Sequence, residues 1–381
     1  MLNNKVYIIV LYLLFVFAGL PKAFGDEQTH KGKESGEELI EDVESIFNVK
    51  GFTFSHILDS YSFHITNIGK TIISVPLPVI VKSKDRGWFV FMSSKFHHGE
   101  TGYKGFSIAK EGEPYAYKVV ETLPDGSVVR SLDFSITKVA FSLMFTVVLL
   151  CCVFIPIARK YTKNPLKVPS GLQSLLEPLV LFVLNDVIKS ALGDSYKKYA
   201  PYLLTVFFFI LTLNLSGLIP VFPFGANITG SIVIPGLLAF FTYIIINVSS
   251  TKGYWREMLW PPGVPLWLKF PIPVMPLIEF LSSITKPLVL MMRLFANMMA
   301  GHLLTIVMMS LIFIFGAMSA IIADTVTIVS ILITIFMTIL HILVAVIQAY
   351  VFTLLSSVFI SAARVKDEHY SKKEITEKIK V

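Results

Sequence analysis

The chain has 381 residues, 54% of them hydrophobic and only 15% charged, with a mean hydropathy well above zero; a soluble domain carries about a quarter charged residues, so most of this chain belongs in lipid. The formal net charge of +7 does not point to nucleic acid, because the lysines and arginines collect between apolar runs and at the C-terminus, as in cytoplasmic loops of membrane proteins. The two cysteines, Cys151 and Cys152, are adjacent within an apolar run and can neither staple distant segments nor supply metal-ligand spacing.

Residues 1–25 read as a cleaved signal peptide: Lys5, an apolar stretch from Val6 to Leu20, then Ala23 and Gly25 at the spacing a signal peptidase reads. Residues 26–135 change to a composition rich in Asp, Glu, Lys, Gly and Ser. A helical start at Glu37 to Phe47 and short alternating runs such as Thr71 to Val81 and Trp88 to Met92 predict a small exported β-rich or α+β domain. His56, His64, His97 and His98 fall here without close Cys or Asp partners at ligand spacing, so no metal is expected.

The spans follow, at about 137–157, 200–220, 231–249, 275–314 and 326–363. Arg159, Lys160, Lys163 and Lys167 come after the first, which places that loop in the cytoplasm. Residues 172–192 are apolar but interrupted by Glu177, Asn185, Asp186 and Lys189, the pattern of an interfacial amphipathic helix. Between the second and third spans, Val221 to Gly230 holds no Lys or Arg, whereas the next loop holds Lys252, Arg256 and Lys269, with Trp255, Trp260 and Trp267 as interfacial aromatics. The last two apolar segments, joined near Gly316 to Asp324, would measure roughly 55 to 60 Å as helices, more than a bilayer core of about 30 Å. The expected fold is therefore an all-α polytopic membrane domain over 136–365, with two long tilted helices forming a hairpin. A lysine-rich cytoplasmic tail follows at 366–381.

Ionisable residues inside such segments mark partners, cavities or ion paths. At about 100° per residue, Glu279, Ser282, Lys286, Arg293, Asn297 and Ala300 fall within roughly 40° of one line, and His302 points to the opposite side. Glu279 and Lys286 could alternatively do no more than pair along the helix. In an antiparallel hairpin turning near residue 320, His302 and His341 reach similar depth, with Gln348 seven residues after His341 on the same face. A facing histidine pair is either a proton relay or a packing contact across helices.

The run P-L-V-L-M-M-R-L-F-A-N-M-M-A-G-H-L-L, then H-I-L-V-A-V-I-Q-A-Y-V-F, resembles the signature of subunit a of the rotary F-type ATP synthase of bacteria. The resemblance extends back through N-L-S-G-L-I-P (Asn214 to Pro220) and G-A-N-I-T-G (Gly225 to Gly230) to cover about residues 135–365. It is faint around H-I-L-D-S-Y-S-F-H in the exported part. It implies an ion-translocating stator subunit of the cell inner membrane, without catalytic chemistry or cofactor of its own. Its partners would be the c-subunit ring, the b-subunit stalk, the remaining synthase subunits and the bilayer. Arg293 would face the ring, keep its carboxylate ionised as it passes and block leakage between two half-channels. Asn297 and Gln348 match polar positions near that arginine; Glu279, Lys286, His302 and His341 match positions of the aqueous access paths. Two departures stand out: Ala296 replaces a usual glycine, and histidine occupies both 302 and 341, where relatives place a carboxylate at one. Glu177, Asp186 and Asp324 are candidates to supply it. The proton is the expected ion, with sodium open. A self-contained channel or secondary transporter built around Arg293 is the competing reading.

Overall fold

The computed structural model describes residues 59–379 apart from short breaks, the longest at 260–273. The signal peptide, the helix expected at Glu37 to Phe47, and His56, Trp260, Trp267 and Lys269 lie outside the described residues. Two contact units divide the chain: 1–55 with 306–333, and 56–305 with 334–381. The described residues of the first are helical; the β domain and the candidate site lie in the second.

Its N-terminal part is built from eight short strands: β1 Ser62–Ile68, β2 Thr71–Pro76, β3 Pro78–Ser83, β4 Gly87–Met92, β5 Phe106–Ile108, β6 Val119–Thr122, β7 Val128–Arg130 and β8 Leu132–Asp133. They form three small antiparallel sheets, ordered β1-β2, β4-β3-β8 and β5-β6-β7. Alternation along β3 turns Val79 and Val81 inward, onto a core with Tyr61, Phe96, Phe106 and Val119. Arg86 locks the sheets together: its Nη2 lies 2.7 Å from the buried carboxylate of Glu121, and its guanidinium rests 5.5 Å from the ring centres of Phe89 and Phe106. Gly105 lets Arg86 in, since at φ +82 an added Cβ would stand 2.8 Å from Nη2.

Helix α1, Lys138–Lys163, follows directly. Its first-turn amides, which lack intrahelical partners, are met from the β domain and the cap: Lys138 N donates to Ser60 O (2.8 Å), Val139 N to Asp59 Oδ1 (3.1 Å) and Ala140 N to Thr137 Oγ1 (3.4 Å). The Phe63 ring packs edge-on against Phe141 and Phe222 at 5.7 and 5.1 Å.

The helical part continues with α2 Leu172–Phe182, a π-helical turn Val183–Lys189, then α3 Tyr196–Leu218, α4 Val233–Ser249, α5 Lys252–Leu259, α6 Val274–Met318 and α7 Ala320–Ile379. Among the described residues four segments are long and apolar enough to cross a membrane: 138–163, 172–218, 276–308 and 327–364. The chain is a polytopic membrane protein with an N-terminal β domain. The expected third crossing is the 17-residue α4, shorter than those four. Three sequence boundaries differ. Residues 172–192 are α-helical only in part, because Val183–Lys189 is a π turn; it buries Val183, Val187 and Ile188 while Asn185, Asp186 and Lys189 stay exposed, and Val183 and Ile188 pack into a core with Leu203, Phe207, Leu290, Leu294 and Phe352. The described residues of the loop expected at Gly316 to Asp324 are helical: α6 runs to Met318 and α7 starts at Ala320, a stretch rich in helix-compatible Ala, Met and Ile. The tail is not separate either, since α7 continues to Ile379.

Candidate functional site

Helix α6 is read most easily by its sides. Ser283, Leu290, Leu294, Met298 and Gly301 are buried at helical spacing, facing the helical core. Beside that stripe Glu279, Ser282, Arg293, Ala296, Asn297 and Ala300 are exposed, and Lys286 is half-buried. The line of polar and small residues thus lies on the uncovered side. Arg293 makes no hydrogen bond or ion pair with any described residue.

Helix α7 runs antiparallel to α6 along this stretch, and three contacts fix the register. Lys286 Nζ sits 5.8 Å from the ring centre of Phe359; among the described residues it makes no salt bridge with Glu279. Asn297 Nδ2 donates to Gln348 Oε1 at 2.8 Å, with Gln348 only 3% exposed. Gly301 packs against His341 so tightly that an added Cβ would stand 2.9 Å from Nε2. The numbering sums of these pairs, 645, 645 and 642, agree with a straight antiparallel ladder.

His302 and His341 are close enough to interact electrostatically, and Lys138, in the first turn of α1, lies within the same reach of His302. His302 Nε2 is buried without a protein hydrogen bond and lies 3.5 Å from where a Cβ on Gly217 would stand. Behind it are the two motifs at 214–220 and 225–230. Thr229 Oγ1 donates to Asn214 Oδ1 at 3.1 Å, both residues fully buried, and Asn227 Oδ1 accepts from Gly230 N at 2.9 Å while its amide reaches Met299 Sδ at 3.9 Å. Asn214 Nδ2 and Gln348 Nε2 are likewise buried without partners. A buried donor left so costs about 1–3 kcal/mol unless water or another chain meets it.

The structure thus brings together Asn297 with Gln348, and His302 with His341, while Glu279 and Arg293 stand on the open side. It adds residues that had no assigned role: Gly217 against His302, Lys138 within electrostatic reach of it, the Asn214–Thr229 pair and Asn227 in the two motifs, and Phe359 under Lys286. The motifs holding Asn214 and Asn227 were visible, but nothing in their spacing connected them with α6. Glu177 is not among these groups. It lines a cleft of about 330 Å³ between α1 and α2 with Phe154, Tyr161 and Gln173. Asp186 is exposed on the π turn, and the side chain of Asp324 lies outside the described ones.

Comparison with known proteins agrees with this layout. The family model of the ATP synthase A chain matches residues 140–361, and one for a domain of unknown function, DUF8433, matches 52–134. ATP synthase subunit a of Chlorobium phaeobacteroides is 41% identical over 249 residues, covering 64% of this chain and 69% of the relative. The subunit a of Pelodictyon phaeoclathratiforme is 40% identical over 253 residues, covering 65% and 71%. A protein of Prosthecochloris aestuarii named ATP synthase subunit a 2 is 41% identical over 249 residues, covering 64% and 72%.

Proposed function

Since the chain belongs to the ATP synthase A chain family, we propose that it is the proton-translocating stator subunit of the membrane sector, working against a ring of carboxylate-bearing c subunits. The observation that carries the reading is Arg293, an exposed cation in an apolar helix without a partner among the described residues. A guanidinium at the middle of a span costs at least about 2.5–3.5 kcal/mol, and a passing carboxylate from another chain would offset that. Arg293 is always charged and presents a planar fork that suits a carboxylate. It would hold the ring carboxylate ionised while opposite and keep the two access paths from joining.

One path would run from the N-terminal end of α1 past Asn214, Asn227 and Thr229 to His302 and His341. The buried polar atoms lacking protein partners there are what a water-lined route needs. Imidazoles can accept a proton on one nitrogen and release it from the other. The second path would leave along Glu279 and Lys286 toward the basic end of α7. Asn297, held by Gln348, would shape the surface beside Arg293. In this reading nucleotide chemistry belongs to partner subunits, the b stalk anchors the chain, the N-terminal domain is exported, and the C-terminus is cytoplasmic in the cell inner membrane.

The test is ATP-driven acidification of inverted membrane vesicles with the chain in an otherwise complete synthase. Arg293→Ala with intact assembly should abolish pumping. Unchanged pumping would return Arg293 to a structural role and end the stator reading.

A further inference from the structure

The β4-β3-β8 sheet has one face in the domain core and one face bare. Strand period puts Trp88, Val90 and Met92 of β4 and Leu132 and Phe134 at β8 on the bare face, with exposures of 58, 70, 44, 61 and 62%. Among the described residues of this face the charged side chain is Lys82, 5.7 Å from the centre of the Trp88 ring. Trp88 and Phe134 touch at 5.5 Å, so the apolar surface is continuous. An exposed apolar patch of this kind marks a contact surface.

The hydrogen-bond register gives its position relative to the membrane. Ile136 N donates to Pro78 O at 3.1 Å and Phe134 N to Ile80 O at 2.9 Å, while Met92, Val90 and Trp88 pair with Pro78, Ile80 and Lys82. The face is therefore three rows stacked above α1. The Met92 row meets the chain at Ile136, two residues before the helix starts at Lys138. Successive rows are two residues, or about 7 Å, apart. A headgroup layer is about 5–7 Å deep on each side of the hydrocarbon. The backbone link and the Phe63–Phe141 contact hold the domain on the helix, so the lowest row stands at headgroup depth.

We propose that this face is a lipid-docking surface, which seats the β domain on the leaflet at the N-terminal end of α1. The occupant is the bilayer surface itself. Met92 in the lowest row reaches the boundary with the acyl chains, Val90 and Phe134 lie at the outer edge of the headgroups, and Trp88, Leu132 and Lys82, about 14 Å above the lowest row, stand beyond them. The argument uses only the membrane crossing of α1 and is independent of Arg293 and of proton transfer.

Spin labels at Met92→Cys, Val90→Cys and Trp88→Cys, in a Cys151→Ser, Cys152→Ser background, test it in the full chain. The complex is placed in vesicles of phosphatidylethanolamine and phosphatidylglycerol, and collisions with oxygen and with a water-soluble nickel chelate are measured. The exposed Lys84→Cys is the water reference. The expected result is an oxygen-to-nickel ratio that falls in the order Met92, Val90, Trp88, with Met92 at least fivefold above Lys84. Ratios equal to Lys84 throughout would overturn the proposal by placing the face in water. Exclusion of both reagents would overturn it by placing the face against protein. The replaced side chains are exposed; should the Met92 variant fail to accumulate, Phe134→Cys reports the Val90 row.

Discussion

Replacing Gly301 with alanine adds a single methyl where α6 packs closely against α7. That methyl would stand 2.9 Å from His341 Nε2, 3.0 Å from Cδ2 and 3.3 Å from Cε1, whereas apolar contacts settle at about 3.5–4.0 Å. The imidazole, or the helix carrying it, must therefore retreat by roughly half an ångström to one ångström. Overpacking of this kind costs about 1–3 kcal/mol, enough to lower thermal stability without preventing assembly. The larger effect should fall on proton transfer, because a misplacement near 1 Å can cost up to about a hundredfold in rate. The expected outcome is a complex that assembles, by native gel, yet pumps protons in inverted vesicles at least about tenfold more slowly. Gly236→Ala is the control, since its methyl would meet only the flexible Met291 Sδ at 3.4 Å, and it should pump normally. Wild-type pumping by Gly301→Ala would show that proton passage does not depend on the placing of His341 beside α6.

The Asn297–Gln348 bond should be unequal when cut: Asn297→Ala strips the donor from a buried acceptor and Gln348→Ala also opens a cavity, so thermal unfolding should fall further for Gln348→Ala. Equal melting temperatures would contradict the burial difference. In the β domain, burial would raise the Glu121 carboxyl, but hydrogen bonds from Ser83 and Arg86 outweigh it and hold the group below its ordinary value. A carboxylate depressed in the folded state contributes stability above its unfolded pKa of about 4.3, and that contribution disappears as pH falls through the folded value. Acid unfolding of the β domain should therefore steepen below about pH 4, and Glu121→Gln should flatten that limb; an unchanged acid limb would remove Glu121 from the account. Gly105→Ala should destabilise the same domain by displacing Arg86, read as a lowered melting temperature that Arg86→Ala largely reproduces.

The parts of the site that sequence made legible were those governed by helical arithmetic. The polar line through Glu279, Arg293 and Asn297 follows from 3.6 residues per turn. The meeting of His302 with His341 follows from counting outward from the turn. What could not be counted was which non-adjacent segment fills the space beside a helix. Gly217 of α3 and Lys138 of α1 come near His302 through helix packing, which no periodicity encodes. Likewise the β domain was legible as alternating runs, but its three separate sheets were not, because strands of two to seven residues leave register to turns and side-chain pairs. The π turn at Val183–Lys189 was not legible either, since nothing in residue spacing announces a local shift of the hydrogen-bond ladder.

The amides that open α1 bear on motion along the membrane normal. Their acceptors come from Asp59 and Ser60, some eighty residues earlier and part of a packed domain. A smooth apolar helix can slide by a fraction of a turn at little cost. This one moves only together with the β domain that caps it, unless its own first turn unlatches. Any shift of α1 along its axis must therefore carry Asp59, Ser60 and the Phe63–Phe222 contact with it.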